Sequence, residues 1–393
     1  MSEIQHHQKQ TFSLSQKQIK QIEEWTSLQF GEIIFDSTKD NWSQHSSLFD
    51  SKLVGKKQLL FLIEDNEGEI FGYYLNTLMN YNFNNNCFRP TDNKSFEFNI
   101  RSNNNRLTSM LKFPIKDTCC GYFLFDKSCE MLVSLGGIYL WKENYKDIST
   151  CIQNEDSYEY HGIENAVCGK TNTQDNEGCW KGEHFVPKTI QVIQMKMTEE
   201  QIQFEKQKEE KQMKQFEEWT GLKCGEIIFD SDVDKWSMNE SVLNEKIEGR
   251  KRLVFTIVDD YGEQFGYYLN TQIENVFNSQ NYLPTDNKSF EFNLESNGRL
   301  KKPMKFPIKD TEKGYQLKDK KDIFLILLGN MVIFKEGQRN LSYYMKYDNY
   351  YDYQRIENLL YGKVDENNKI KTYNFIPMRI KVIQMEMTQE EKK

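Results

Sequence analysis

No run of ~18 or more apolar residues occurs anywhere in the chain, so a membrane-spanning helix is not expected. The opening stretch MSEIQHHQKQ has no apolar h-region, and a secretory signal is not expected either. An excess of positive charge is also missing. Against 51 Lys and Arg stand 59 Asp and Glu, a formal net charge of -8 with a pI near 5.5. Nucleic-acid binding draws its affinity from a concentrated basic surface, so this balance argues against such a partner. Cysteine is scarce where a shared framework would need it. Cys87, Cys119, Cys120, Cys129, Cys151, Cys168 and Cys179 lie in the first half and Cys224 alone in the second. Adjacent Cys119 and Cys120 are poorly placed to share one tetrahedral ion. Reduced thiols in the cytosol, without a structural metal or cofactor, are therefore expected.

What the chain does have is a long internal repeat. PTDNKSFEFN runs from Pro90 to Asn99 and returns unchanged from Pro284 to Asn293, an offset of 194. The same offset carries EEWTSLQFGEIIFDS onto EEWTGLKCGEIIFDS, and FGYYLNT onto its twin. It falls to 193 at KFPIKDT and to 190 at VIQMKM, because residues 171–183 are longer than their partner loop. Solenoid units of about 20 to 50 residues cannot stand alone, whereas a unit of about 190 can bury its own core. Duplication of a whole domain follows. Hydrophobic residues at 38% and aromatics at 13% supply the core material. The expected plan is a disordered tail over 1–10, a first domain over 11–197, a helical linker over 198–218 and a second domain over 219–393.

Each copy reads as short strands with turn punctuation and brief helices. GEIIFDS is a buried-strand pattern, and residues 46–54, closed by Gly55, predict a short helix, repeated at 241–248 before Gly249. In QLLFLIEDNEGEIFGYYLN, residues 65–68 separate two β-rich runs, a hairpin signal. Phe96, Phe98 and Ile100 alternate with Glu97 and Asn99, which predicts a strand with one apolar and one wet face. Further strands are expected at 121–125, 131–135 and 137–141. In the last run Ile190 and Val192 set one phase and Ile193, Met195 and Met197 the other, as a bulge or a strand buried on both faces would require. Thr198, followed by Glu200 and Gln201, marks the start of a charged helix free of Gly and Pro. The fold class expected is mainly β with peripheral helices (α+β): two tandem β-sandwiches joined by that helix.

Catalytic patterns are sparse. Cys151 and His161 could form a thiolate and imidazolium pair oriented by Asn154 or Glu164, but Tyr344 and Gln354 replace them in copy two. Acidic pairs such as Glu64 and Asp65, or Asp259 and Asp260, precede turn glycines, where carboxylates commonly serve the turn. Gly136 and Gly137 follow an apolar run, yet a strand follows them rather than the helix that a phosphate loop needs. His6 and His7 sit in the tail, a weak metal pattern.

GEIIFDSTKDNWS, the hydrophobic hairpin, SFEFNI and LVSLGGIYLW together resemble the TLDc domain family, over roughly Trp25 to Met197 and Trp219 to Met387. The signature positions carried over from that resemblance are Gly136, Gly137, Trp141, Ser149, Cys151 and Asn154. Copy two has Gly329, Asn330, Phe334, Ser342, Tyr344 and Tyr347 there. Family members usually place an acidic residue and a Trp in the final strand, where this chain has Gln191 and Ile193, then Lys381 and Ile383. The resemblance implies a helix-flanked β-sandwich, roles in oxidative-stress resistance, and binding to vacuolar proton pump subunits. No catalytic mechanism is established for that family, and neither catalytic residues nor a cofactor are expected here. The expected protein is a non-enzymatic, cytoplasmic adaptor, peripheral to endolysosomal membranes through its partner. An enzyme built on Cys151 and His161, or a structural or trafficking scaffold, are the alternatives.

Overall fold

The computed structural model describes residues 14–80, 88–102, 107–143, 149–168, 183–274, 276–277, 281–297, 300–336, 342–345, 349–353, 363–364, 370–372 and 374–387. The tail expected over 1–10, with His6 and His7, lies outside the described residues, as does the insertion over 171–183 except for its last residue. The chain divides into two compact units, Met1–Gln201 and Ile202–Lys393. The described residues are mainly β, in four antiparallel sheets and a two-stranded hairpin, with four α-helices.

In the first unit α1 (Gln16–Thr26) precedes β1 (Gln29–Asp36), α2 (Phe49–Leu53), β2 (Leu59–Asp65), β3 (Ile70–Leu75), β4 (Phe96–Arg101) and β5 (Leu111–Pro114). Then come β6 (Tyr122–Leu124), β7 (Met131–Leu135), β8 (Ile138–Trp141), β9 (Ser149–Cys151), β10 (Glu183–Phe185) and β11 (Pro187–Lys196). One sheet has the order β1-β11-β2-β3-β4-β5, the other β10-β9-β8-β7-β6. The long C-terminal strand thus sits between β1 and β2, closing the sheet with a contact remote in sequence.

Strand periodicity explains the two cores. In β2, Leu59, Phe61 and Ile63 point into a cluster shared with Val133, Leu135, Ile138 and Leu140 of the smaller sheet. Leu60 and Leu62 point the other way, into a cluster with Ile22 and Trp25 of α1. The phase change expected in the last run has this origin. Ile190 and Val192 face the smaller sheet while Ile193 and Met195 face the helix side, so β11 is buried on both faces. Against β1 the register shifts fall between Gln29 and Glu32 and between Ile33 and Phe35, and against β2 between Pro187 and Thr189, outside the run over 190–195.

The helix expected over 46–54 is shorter, Phe49–Leu53. Gly55 follows at φ +79°, its N–H donating to the Met79 carbonyl at 2.8 Å. A left-handed residue there is what glycine supplies without steric cost.

The second unit repeats the plan after α3 (Glu199–Thr220): β12 (Lys223–Asp230), α4 (Leu243–Ile247), β13 (Leu253–Asp259), β14 (Gln264–Leu269), β15 (Phe290–Glu295) and β16 (Met304–Pro307). It continues with β17 (Tyr315–Leu317), β18 (Phe324–Leu328), β19 (Met331–Phe334), β20 (Ser342–Tyr344), β21 (Lys363–Val364), β22 (Ile370–Thr372), β23 (Asn374–Phe375) and β24 (Pro377–Glu386). Its larger sheet runs β12-β24-β13-β14-β15-β16 and its smaller one β17-β18-β19-β20-β23.

The start of α3 is capped as its sequence predicts. Thr198 Oγ1 accepts from the Gln201 N–H at 3.1 Å, and Gln201 Oε1 accepts from the Thr198 N–H at 2.8 Å. Its other end is not a linker in the physical sense. Met213, Phe216 and Trp219 pack with Val254, Tyr268, Phe290 and Phe292 over the outer face of the second unit's larger sheet. That is the place α1 takes in the first unit, so core residues of unit two lie inside the 198–218 stretch read as a connector.

Candidate functional site

The decapeptide shared by the two units is where the polar chemistry gathers. Its alternation was read as one apolar and one wet face, and the structure overturns the second half of that reading. Phe96, Phe98 and Ile100 do lie under α1, but Glu97 and Asn99 are 0% and 1% exposed. The face opposite the helix meets the smaller sheet instead of water.

Upstream residues of the same segment form a bonded corner. Asn76 Nδ2 donates to Asp92 Oδ2 at 2.5 Å, and the Asn76 N–H donates to Ser95 Oγ at 3.0 Å. Thr91 Oγ1 lies 2.6 Å from Ser95 Oγ and 3.2 Å from Thr77 Oγ1. Asn270, Asp286, Ser289, Thr285 and Thr271 repeat the set at 2.5, 3.0, 2.6 and 3.2 Å. Buried polar groups must be bonded or they cost stability, so identity of these letters preserves a closed network.

Glu97 sits at the seam between the sheets. Its Oε1 accepts from the Gly137 N–H at 2.7 Å, and its Oε2 accepts from the Tyr160 hydroxyl at 2.7 Å. The Tyr158 hydroxyl lies 3.3 Å from both the Tyr73 hydroxyl and the Cys120 carbonyl. In the second unit the Asn330 N–H donates to Glu291 Oε1 at 2.8 Å and the Tyr353 hydroxyl to Oε2 at 2.5 Å. Asn330 Nδ2 adds a bond to the Tyr353 oxygen at 2.7 Å.

Burial dominates the acidity of both carboxyls. It pushes Glu97 up to about 7 against the pull of the Gly137 N–H and the Tyr160 hydroxyl. Glu291 is pushed up to about 8, against the Tyr353 hydroxyl and the Asn330 N–H. Desolvation disfavours the charged form, and two hydrogen bonds do not fully offset it.

Of the six positions singled out in the first unit, Gly136 and Gly137 lie on this seam and the others lie along β8, β9 and the segment that follows. Gly136, at φ +57°, occupies the β7–β8 turn, where an added Cβ would lie 2.5 Å from Glu97 Oε1 and 2.6 Å from the Tyr158 hydroxyl. Gly137 supplies the N–H to the carboxyl and a carbonyl that accepts from the Ile152 N–H at 2.8 Å. Ser149 Oγ accepts from the Trp141 N–H at 3.3 Å, so these two join β8 to β9. Cys151 pairs with Ile138 across that ladder and is buried in the core. Asn154 Oδ1 accepts from the Asp156 N–H at 3.1 Å, and its carbonyl accepts from the Tyr158 N–H at 3.0 Å, turning the chain toward Tyr158 and Tyr160.

Cys151 and His161 stand in different environments. The thiol is 6% exposed among core side chains. His161 has φ +55° and an exposed ring 3.9 Å from Glu159. The acidic residues before the hairpin glycines serve the turns. Asp65 Oδ1 accepts from the N–H groups of Glu67 and Glu69 at 3.0 and 2.9 Å. Asp259 Oδ1 does the same for Tyr261 and Glu263 at 3.0 and 2.7 Å, and burial next to Asp260 and Glu263 pushes its carboxyl up to about 8. Among the described residues, no group of three or more His, Cys, Asp or Glu side chains could hold a metal ion.

Sequence reasoning missed Glu97, Tyr158 and Tyr160 with their counterparts Glu291, Tyr351 and Tyr353. Two signals were present: an acidic residue inside a segment wholly identical in the two copies, and tyrosines two apart in both copies. No family model matches the chain, and no curated protein matches it.

Proposed function

We propose that this protein is a non-enzymatic binding adaptor or regulator of the TLDc type, made of two tandem β-sandwich domains joined by a charged helix. The observation that carries the reading is the sealing of the polar cluster common to both units. Glu97, Tyr158 and Tyr160 are 0%, 1% and 3% exposed, and the turn over them has no room for even one more carbon at Gly136. Catalysis requires reacting groups within reach of a substrate; groups so enclosed serve the fold and leave binding to the surface. In support, Ile33 and Ile227 are exposed at the same position of the edge strands β1 and β12, and exposed strand edges are ready templates for partners.

The favoured partner is the cytosolic sector of the vacuolar proton pump, reached from the cytoplasm and at endolysosomal membranes, with an indirect effect on oxidative-stress resistance. This part of the proposal rests on the family resemblance. Among the described residues no helix is long and apolar enough to cross a membrane. The first unit, with Gly137 and Cys151, is proposed as the stronger binder. The test is affinity capture with the full chain from its native cell, beside an assay of ATP hydrolysis by the pump. Pump subunits in stoichiometric yield support the reading. Another assembly in their place overturns the pump assignment, and failure to retain any assembly overturns the adaptor.

A further inference from the structure

We propose that Glu97 and Glu291 are proton-operated latches, each holding the β-turn of its smaller sheet (Gly136–Gly137, Gly329–Asn330) against the larger sheet while neutral and loosening that seam when ionised. The inference concerns the fold's response to protons and is independent of the partner proposed above.

The geometry sets up two states. As a neutral acid, Glu97 accepts from the Gly137 N–H through one oxygen and can donate its own proton to the Tyr160 oxygen. As an anion it accepts from both groups over the same 2.7 Å contacts. The closed form therefore bonds either state, but only the neutral one avoids a buried charge. An ion in a low-dielectric site costs several kcal/mol unless a cation or further donors compensate it.

Among the described residues, the groups facing Glu97 do not supply a cation. They are Tyr73 from β3, Tyr139 from β8, and Tyr158 and Tyr160 from the segment after β9, with Cys151 of β9 acting on Tyr139 and Tyr160 and Phe113 opposite Glu97 on β5. Asp92 and Cys120 lie beyond Tyr73. Around Glu291 stand Tyr267, Tyr344, Tyr351 and Tyr353, with Tyr282 and Asp286 beyond Tyr267. Tyrosine and cysteine are neutral near pH 7, and the aspartates add negative charge.

On the turn side there is no room to hydrate the anion in place. A Cβ at Gly136 would already overlap Glu97 and Tyr158, and one at Gly329 would overlap the Tyr351 hydroxyl and lie 2.5 Å from Glu291 Oε1. Relief must come from parting the turn from the strand. The sign follows from linkage. The closed state binds the proton more tightly than the open, hydrated state, so closure is complete at low pH. It weakens as pH rises from the ordinary carboxyl range to the raised value, then levels.

Hydrogen exchange with mass spectrometry on the full chain, from pH 5 to 9, tests this. Rates are divided by the intrinsic chemical rate at each pH. In the wild type, protection of segment 131–141 is expected to fall about tenfold per pH unit up to about pH 7 and then level. Segment 324–334 is expected to level nearer pH 8. Glu97→Gln keeps both hydrogen bonds without a charge and should flatten the first profile while leaving the second as it was. Tyr160→Phe removes one donor to the anion and should move the levelling point upward in pH. Equal slopes in Glu97→Gln and wild type, a flat wild-type profile, or parallel loss of protection across 187–196 would overturn the latch. If Glu97→Gln does not fold, Glu291→Gln and Tyr160→Phe decide it by the same criteria.

Discussion

Replacing Gly136 by Ala puts one methyl group into the tightest part of the seam, and a natural control exists within the same unit. Gly55 has φ +79° with nothing within 4 Å of an added Cβ, whereas Gly136 has φ +57° with Glu97 and Tyr158 in the way. Both substitutions place an L side chain in the left-handed region, which costs about 1–2 kcal/mol. Both recover about 0.4–1 kcal/mol by restricting the unfolded chain. Gly55→Ala should therefore cost about 1 kcal/mol. Gly136→Ala adds overpacking of about 1–3 kcal/mol. If Glu97 is pushed off the Gly137 N–H, an unpaired buried group adds about 1–3 kcal/mol more. The expected loss is about 2–4 kcal/mol if Glu97 keeps its bond and about 3–7 kcal/mol if it does not, confined to the first unit. Urea-dependent hydrogen exchange on the full chain separates the two units and reads it directly. Gly329→Ala, at φ +55° against Glu291 and Tyr351, repeats the experiment in the second unit. Losses at Gly55 and Gly136 that agree within about 0.5 kcal/mol would refute the close approach, since backbone strain alone would then account for both.

The remaining expectations concern pH, the helix and the thiols. With Glu97 raised to about 7 and Glu291 to about 8, the two should lower stability as pH climbs from about 4.5 through those values, by roughly 3 and 5 kcal/mol; in urea melts from pH 5 to 9, Glu97→Gln with Glu291→Gln should flatten the first unit's share of the slope and leave the second unit the part owed to Asp259, itself raised to about 8. Phe216→Ala should cost about 3–5 kcal/mol and act on the second unit alone, because Phe216 packs against Phe292 at 5.2 Å between ring centroids; an effect confined to the first unit, read by exchange, would refute the assignment of that helical turn. Cys151→Ala should leave the fold intact at a cost of about 1–2 kcal/mol, and any protection of cells against oxidants should survive it; loss of protection with the fold preserved would make Cys151 a redox-active thiol.

The parts of this fold that sequence made legible are those decided by local chemistry. The hairpin of β2 and β3 follows from Gly68 and the β-rich runs flanking it, and its Asp65 caps the turn as turn aspartates do. The opening of α3 follows from Thr198 and Gln201, whose reciprocal bonds require no tertiary partner. The duplication is visible in the letters themselves. The other end of α3 was harder to read, because a charged helix with sparse apolar positions looks the same whether Phe216 and Trp219 hang in solvent or close a sheet. Only the outer apolar face of the second unit's larger sheet, made of Tyr268, Phe290 and Phe292 from distant strands, decides between them.

Glu97 shows the deeper limit. Alternation tells which residues of a strand share a face, but it cannot tell what covers that face. In an ordinary two-layer arrangement the polar side meets water, and Glu97 and Asn99 were placed there. Here α1 covers the phenylalanines and the smaller sheet covers the carboxyl, so a strand with an amphipathic pattern has no wet side. The repeat carried the missing information. A solvent-facing Glu or Asn can be exchanged for other polar residues at little cost, as the differing surface residues of the two copies illustrate. A buried one with fixed partners cannot. Thr91, Asp92, Ser95, Glu97 and Asn99 are identical to Thr285, Asp286, Ser289, Glu291 and Asn293, and every one of them sits inside the fold or in its bonded corner. Identity alone does not decide burial, since Asn93 and Lys94 in the turn are exposed and equally identical to Asn287 and Lys288; it is polar identity at strand positions that alternate with core phenylalanines that argues for burial, and the carboxylate it points to is the group on which the proposed latch turns.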